Sequence, residues 1–202
     1  MEDYAIIILA AGSSRRMGQP KQLLRIQGKT LLRHTIDEAK ILLPSSVFVV
    51  VGANADVVNS ELSHDPNIHI CYNALWHEGM ASSIKTGLTS ALAHNAVIKG
   101  CLISVCDQPF LTREIYAGLI AAHKKNPGRI IASLYRDVAG VPVLFDSDYF
   151  QHLMTLNGQQ GAKKLLNSPA FKTLHVPFPN GHIDLDTPED YKRYLSQAAK
   201  KG

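Results

Sequence analysis

An α/β three-layer sandwich around a mostly parallel sheet is the fold this chain predicts, and three observations predict it. Apolar, β-branched runs alternate along the sequence with segments of helical period. The clearest run, Ile6-Ile7-Ile8-Leu9, is continuous rather than alternating, as in a strand buried on both faces. No linker, internal repeat or low-complexity tract interrupts the pattern, so residues 1–202 read as one domain, long enough to bury a substantial core.

The elements follow in order. The first strand is expected over Ala5–Leu9, and Leu32, Ile36, Ala39 and Leu43 then recur on one helical face. Val47–Val51 and His69–Tyr72 are the next strands. Ile84, Leu88 and Leu92 mark a helix in the third crossover, Cys101–Val105 a strand, and Ile115, Leu119 and Ala122 a helix in the fourth. Ile130–Ser133 is a further strand. Beyond residue 134 the alternation loosens. Gly140–Phe145 reads as an extended segment interrupted by Pro142, hence an edge or irregular strand. Helical stretches are expected around Tyr149–Leu156 and Gly161–Leu166, and a turn-rich connection over Val176–Gly181. The last helix has a clear start, with Thr187 as N-cap, Pro188 at the first position and Asp190 three residues after the cap.

Composition excludes several classes. A 46% hydrophobic content with 19% charged residues is that of a globular protein and excludes a disordered chain. The net charge of +4 permits an anionic substrate, but no dense Lys/Arg block with interleaved aromatics points to nucleic acid. Lys200-Lys201 reads as a solvated end. No stretch approaches the ~18 apolar residues of a membrane span. Glu2 and Asp3 precede the first strand, so no cationic secretory region is present and a cytoplasmic protein is expected. Cys71, Cys101 and Cys106 are odd in number and lack C-x-x-C spacing, so they read as small buried hydrophobes.

Chemistry concentrates where strands end. After Leu9 the chain turns through Ala10-Ala11-Gly12-Ser13-Ser14-Arg15-Arg16-Met17-Gly18 to Lys21. Small residues let backbone approach a ligand, free amides there form an anion-binding concavity, and the cations suit a triphosphate. Five residues separate Gly12 from Gly18 with no Gly-Lys-Ser/Thr, so this is not a Walker A loop. No Gly-x-Gly-x-x-Gly follows the strand, which weakens a dinucleotide reading. A solvated surface loop is the plain alternative. Asp107 ends another buried strand before Gln108-Pro109, placed either to hold Mg²⁺ or to form an Asx-turn. Asp184 and Asp186 alternate onto one side of a short extended segment. Glu189 and Asp190 are explained by the helix start beside them, whereas Asp186 is not. In Asn73–Ile84, Gly79, Ser82 and Ser83 fall in a helix's first turn, fit for a base or ribose or for simple capping. Trp76 reads as a core anchor. The nine histidines show no zinc-ligand pairing and read as structural or solvent-facing.

These stretches carry a resemblance. Leu-Ala-Ala-Gly-x-Ser-x-Arg-Met-Gly-x-x-Lys resembles the signature of nucleotidyltransferases that join an NTP to a phosphorylated acceptor, with Arg15 at a variable position. Asp107-Gln108-Pro109, Asp184-Leu185-Asp186-Thr187-Pro188-Glu189-Asp190 and the Asn-x-x-Trp-x-x-Gly-Met-x-x-Ser element are similar to those of molybdenum cofactor cytidylyltransferases. The resemblance runs from Leu9 to Asp190. It implies a Rossmann-like fold of the nucleotide-diphospho-sugar transferase type. It also implies a Mg²⁺-dependent enzyme that moves CMP from CTP to a phosphorylated pterin, with a molybdoenzyme-maturation partner a further implication. Arg16, Lys21 and Asp107 are the implied catalytic residues. Leu9, Ala10, Ala11, Gly12, Ser14, Arg16, Lys21, Asn73, Gly79, Ser82 and Asp107 are the implied nucleotide contacts, and Asp107 and Asp186 the metal ligands. Ala11 stands where guanylyl-transferring relatives carry glycine, which favours CTP. The acceptor-side pattern Gly-Asp-x-Gly-Ala-Arg is altered here to Gln159 and Lys163, which bears on the acceptor more than on the nucleotide. The competing readings are a cytidylyltransferase for another acceptor such as methylerythritol phosphate, a non-catalytic nucleotide- or cofactor-delivery protein and, last, a dehydrogenase.

Overall fold

Alternation within one strand decides the layering. In the computed structural model, which describes residues 2–62 and 65–198, Ile6 and Ile8 are buried on one face of β1 (Tyr4–Leu9) and Ile7 on the other. His64 and Lys200-Lys201 lie outside the described residues. A short hairpin follows, β2 (Arg25–Ile26) and β3 (Lys29–Thr30), then α1 (Leu31–Lys40), β4 (Val47–Val51), α2 (Ala55–Leu62) and β5 (Ile68–Tyr72). The chain continues through α3 (Met80–His94), β6 (Gly100–Val105), α4 (Arg113–Lys125), β7 (Ile130–Tyr135) and β8 (Val138–Asp146). Helices α5 (Phe150–Met154) and α6 (Lys163–Leu166), strand β9 (Thr173–Pro177) and helix α7 (Pro188–Ala198) complete it.

Among the described residues seven strands form one sheet in the order β5-β4-β1-β6-β8-β7-β9. All neighbours pair in parallel except β8, which runs against both β6 and β7. Ile6, Ile8, Val47 and Val49 pack with Leu32 and Ile36 of α1, Val58 of α2 and Leu119 of α4. On the opposite face Ile7, Phe48, Val50 and Ile103 pack with Ile84 and Leu88 of α3, Leu153 of α5 and Leu165 of α6. This is the three-layer α/β sandwich expected. Helix α3 lies close because it carries Gly87 where a Cβ would come 2.4 Å from Ile7 Cγ2. The three cysteines are free and buried. Among the described residues no helix is long and apolar enough to cross a membrane.

The structure departs from expectation in the C-terminal third. Strand β8 is interior, not an edge. Pro142 is accommodated there because pairing with β6 ends at Ile103↔Val143 and the β7 ladder jumps from Ala132↔Val143 to Ser133↔Gly140. Ser133 Oγ donates to the Pro142 carbonyl at 2.8 Å instead. Strand β9 was not expected; it overlaps the start of the proposed turn-rich connection. It pairs only with β7 and buries no complete face, so its sequence carries no period-two signal. The two-residue strands β2 and β3 and helix α2 were likewise unmarked by pattern.

A third, smaller cluster positions the site. Met17, Leu24, Ile26, Leu31, Leu185 and Tyr194 are buried together, so the turn after β1, the β2–β3 hairpin, α7 and the segment before it share one anchor. The start of α7 is fixed by reciprocal capping. Asp190 N–H donates to Thr187 Oγ1 at 3.2 Å, and Thr187 N–H donates to Asp190 Oδ2 at 3.0 Å.

Candidate active site

A cleft of about 420 Å³ lies over the carboxyl ends of β1 and β6, adjacent strands in the sheet. Its floor is Leu9, Ala10, Ala11 and Gly12 from the turn after β1, and Val105, Cys106 and Asp107 from the end of β6. Leu185 N–H donates to the Asp107 carbonyl at 2.9 Å, bringing the segment with Asp184 and Asp186 alongside. Residues 9–21, 107 and 186 therefore meet in one place.

Their charges compensate one another. Lys21 Nζ donates to Asp107 Oδ2 at 2.5 Å and to Asp186 Oδ1 at 2.9 Å, and Arg16 donates to Asp186 Oδ2 at 2.9 Å. Burial pulls the Lys21 pKa down, but Asp107, by charge and hydrogen bond, and then Asp186 outweigh it. The ammonium is held well above the usual lysine range. Burial likewise raises Asp186, yet Lys21 and Arg16 bring its carboxyl below the usual range. Among the described residues Asp184 has no such cation bonded to it. Desolvation, then the charges of Asp107 and Asp186, push it up to about 6, against a smaller pull from Lys21 and Lys163. Burial pushes the neighbouring Cys106 thiol up to about 12, which favours the neutral thiol over the thiolate.

The donor set suits a hard divalent cation. One ammonium already bridges the two carboxylates, and Asp107 Oδ1 is buried with no hydrogen-bond partner among the described residues. Such carboxylate oxygens are hard-cation ligands. Among the described residues no three His, Cys, Asp or Glu side chains converge into a closed metal cage.

The remaining expected residues divide. Leu9, Ala10, Ala11, Gly12, Lys21, Gly79 and Asp107 line the cleft, whereas Ser14, Arg16, Asn73, Ser82 and Asp186 do not. Asn73 is buried and donates to Ser82 Oγ and Ser83 Oγ, both at 2.9 Å, while its Oδ1 accepts from Leu75 N–H. Ser82 Oγ is turned back onto the Leu75 and Gly79 carbonyls at 2.8 Å each. Ser83 is the serine that faces the cleft. The Asn-x-x-Trp-x-x-Gly-Met-x-x-Ser pattern ends on Ser83, but spacing alone does not tell which serine's hydroxyl faces the cleft. Gly79, at φ +114°, passes so close to the 157–161 loop that a Cβ would lie 2.5 Å from the Gly158 carbonyl oxygen.

Ser13, Gln22 and His77 line the cleft without having been assigned a role; Arg15, at a variable position of the signature, and Gln159, expected on the acceptor side, line it as well. Trp76 does so while packing against the core, a double position that burial pattern alone does not reveal. His123 is a core residue, as expected of the histidines, held between Tyr4 and Asp146.

The cleft lies where α/β sheets bind ligands, and the match to an NTP transferase family makes the class a nucleotidyltransferase. The family model for the MobA-like NTP transferase domain matches residues 6–174, and the chain belongs to that family. It is 30% identical to the nicotine blue oxidoreductase of Paenarthrobacter nicotinovorans over 94% of this chain and 95% of the relative. It is 24% identical to the molybdenum cofactor cytidylyltransferase of Escherichia coli (strain K12), covering 92% of each. Among solved structures, a Mycobacterium sp. strain JC1 homolog of Mycobacterium tuberculosis Rv0371c superimposes with a TM-score of 0.83 at 28% identity, covering 99% of this chain and 98% of that one.

Proposed function

We propose that this nucleotidyltransferase transfers CMP from CTP to the phosphate of a molybdopterin-type cofactor and releases pyrophosphate. The observation that carries the reading is the single Lys21 ammonium held between Asp107 and Asp186 beside the turn after β1. That is a charge arrangement built to exchange partners. Phosphates of an incoming triphosphate compete for Lys21 and Arg16, releasing Asp107 and Asp186. Those two acids would hold Mg²⁺, which would supply positive charge to screen the anionic reactants from each other.

The acceptor phosphate is already ionised near neutral pH, so no protein base is required. Its oxygen attacks the α-phosphorus, the bond from that phosphorus to the bridging oxygen breaks, and the electron pair leaves with pyrophosphate. Lys21 stabilises charge at the α-phosphate and Arg16 neutralises the leaving group. Ser83 and Gly79 line the base and ribose end, and Ala11 leaves less room for a purine than glycine would. Gln159 and Lys163 stand on the acceptor side.

The test is pyrophosphate release with each of the four NTPs, with and without reduced molybdopterin and Mg²⁺. CTP-selective, pterin-dependent release is expected. Release with methylerythritol phosphate in place of the pterin transfers the reading to that acceptor. The relative named as an oxidoreductase motivates a parallel arm: oxidation of NADH or NADPH without pyrophosphate release would replace the transferase reading for this chain.

A further inference from the structure

Gln22 is 1% exposed, and an uncharged amide so deeply buried needs partners for its polar atoms. Its Nε2 donates to the carbonyl of Ala10 at 2.7 Å and to that of Gly12 at 3.0 Å. Its Oε1 accepts the Ser14 hydroxyl at 3.2 Å, and Ser14 Oγ in turn accepts the backbone N–H of Lys21 at 3.1 Å. One side chain therefore grips the turn after β1 at three residues and is coupled through Ser14 to the residue carrying the bridging ammonium.

The consequence follows from peptide geometry. In a planar trans peptide the carbonyl of one residue and the N–H of the next point in opposite directions. Holding the Ala10 and Gly12 carbonyls toward Gln22 turns the N–H groups of Ala11 and Ser13 away from it. Neither N–H has an acceptor among the described residues, and both residues line the cleft. The intervening Ala11 carbonyl is taken by Ala53 N–H at 3.0 Å, so the alternation of the turn is fixed from both sides.

We infer that Gln22 is a positioning residue that aims the Ala11 and Ser13 amides at the polyphosphate of the nucleotide. Gln22 acts through backbone it holds; it does no chemistry itself. The inference rests on the nucleotidyltransferase reading and identifies what makes the turn an anion site. Two free amides in a fixed orientation bind an anion without the entropy cost of ordering a mobile turn.

Inorganic tripolyphosphate in magnesium buffer is the probe, since it carries the charge without base or ribose. Titrated into the ¹⁵N-labelled wild-type protein, it is expected to shift the Ala11 and Ser13 amide resonances. Gln22→Glu keeps the size and the acceptor for Ser14 but loses both donors, and Gln22→Met removes the amide altogether. Both variants should bind tripolyphosphate about tenfold to hundredfold more weakly by calorimetry, the scale of a misplaced binding group. Folding is followed by melting temperature, and the wild-type titration stands even if Gln22→Met fails to fold. Folded variants that bind like wild type, or tripolyphosphate binding that leaves Ala11 and Ser13 unshifted, would overturn the role, as would absence of wild-type binding. If those amides respond while CTP gives no pyrophosphate release with any acceptor, the cytidylyl-transfer reading fails and the role of Gln22 stands.

Discussion

Lys21 Nζ lies 2.5 Å from Oδ2 of Asp107, a residue 86 positions further along the chain. Removing this ammonium has opposite effects on two observables. Lys21→Met should lower turnover by ~10²–10³, the effect of losing one preorganised donor at developing charge. The same change deletes the cation that competes for Asp107 and Asp186, so affinity for Mn²⁺ in the absence of nucleotide should rise. Pyrophosphate release measures the first and the paramagnetic resonance of free Mn²⁺ the second. Near-normal turnover would remove Lys21 from the mechanism, and unchanged Mn²⁺ affinity would mean that the acids are not a cation site.

Asp186 takes both Lys21 and Arg16. Asp186→Asn keeps its shape but withdraws the charge, so Mn²⁺ affinity should fall at least about tenfold, the lower bound for losing even an outer partner of a metal. Arg16 is 71% exposed, so little stability depends on its pair with Asp186. Asn keeps an acceptor oxygen for the largely buried Lys21 but not the charge, so the melting temperature should fall modestly while metal affinity drops. A variant that binds Mn²⁺ as wild type does would leave Asp107 without the second acid.

Much of this site was legible because it is built from strand ends. A short, β-branched continuous run such as Ile6–Leu9 reads as a strand covered on both faces, and its abrupt stop at small residues marks where backbone can approach a ligand. The same holds for Cys101–Val105 and Asp107. What the sequence did not disclose is direction. Ser82 and Ser83 both suit the first turn of α3, and only the fold shows that Asn73 turns Ser82 back onto carbonyls and leaves Ser83 facing the cleft. Gln22 was equally silent, since a buried glutamine is defined by the carbonyls around it rather than by its neighbours in sequence. Strand β9 escaped because an edge strand with exposed alternate residues needs no apolar face.

The two serines therefore predict a split. Ser83→Ala should raise the KM for nucleotide and lower the melting temperature only by the one bond its hydroxyl accepts from Asn73, because the rest of that hydroxyl faces the cleft. Ser82→Ala should leave the KM near wild type and lower the melting temperature more. Its single hydroxyl proton is shared between the Leu75 and Gly79 carbonyls and its oxygen accepts from Asn73. The change therefore costs about 0.5–1.5 kcal/mol for each of one donated and one accepted bond. Thermal melts and nucleotide saturation curves of the pair decide it; identical behaviour of the two variants would contradict the orientation of α3.

Far from the cleft, Asp146 gives the pH dependence of stability a definite sign. Burial pushes its carboxyl up, but the N–H groups of Asp148 and Gly128, then His123 at 2.8 Å, outweigh this and hold it below the usual carboxylate range. A carboxyl lowered by folding stabilises the native state above its unfolded pKa of ~3.9, and that contribution is lost as pH falls through the folded value. Asp146→Asn should accordingly cost about 1.5–3 kcal/mol at pH 7, the range for hydrogen bonds to a charged group. The gap between wild type and variant should close progressively below about pH 4, where the wild-type carboxyl also becomes neutral. Urea denaturation at pH 7, 5 and 3 measures it. A gap that stays constant down to pH 3 would assign the stabilisation to shape and neutral hydrogen bonding, and the charge on Asp146 would have no part in it.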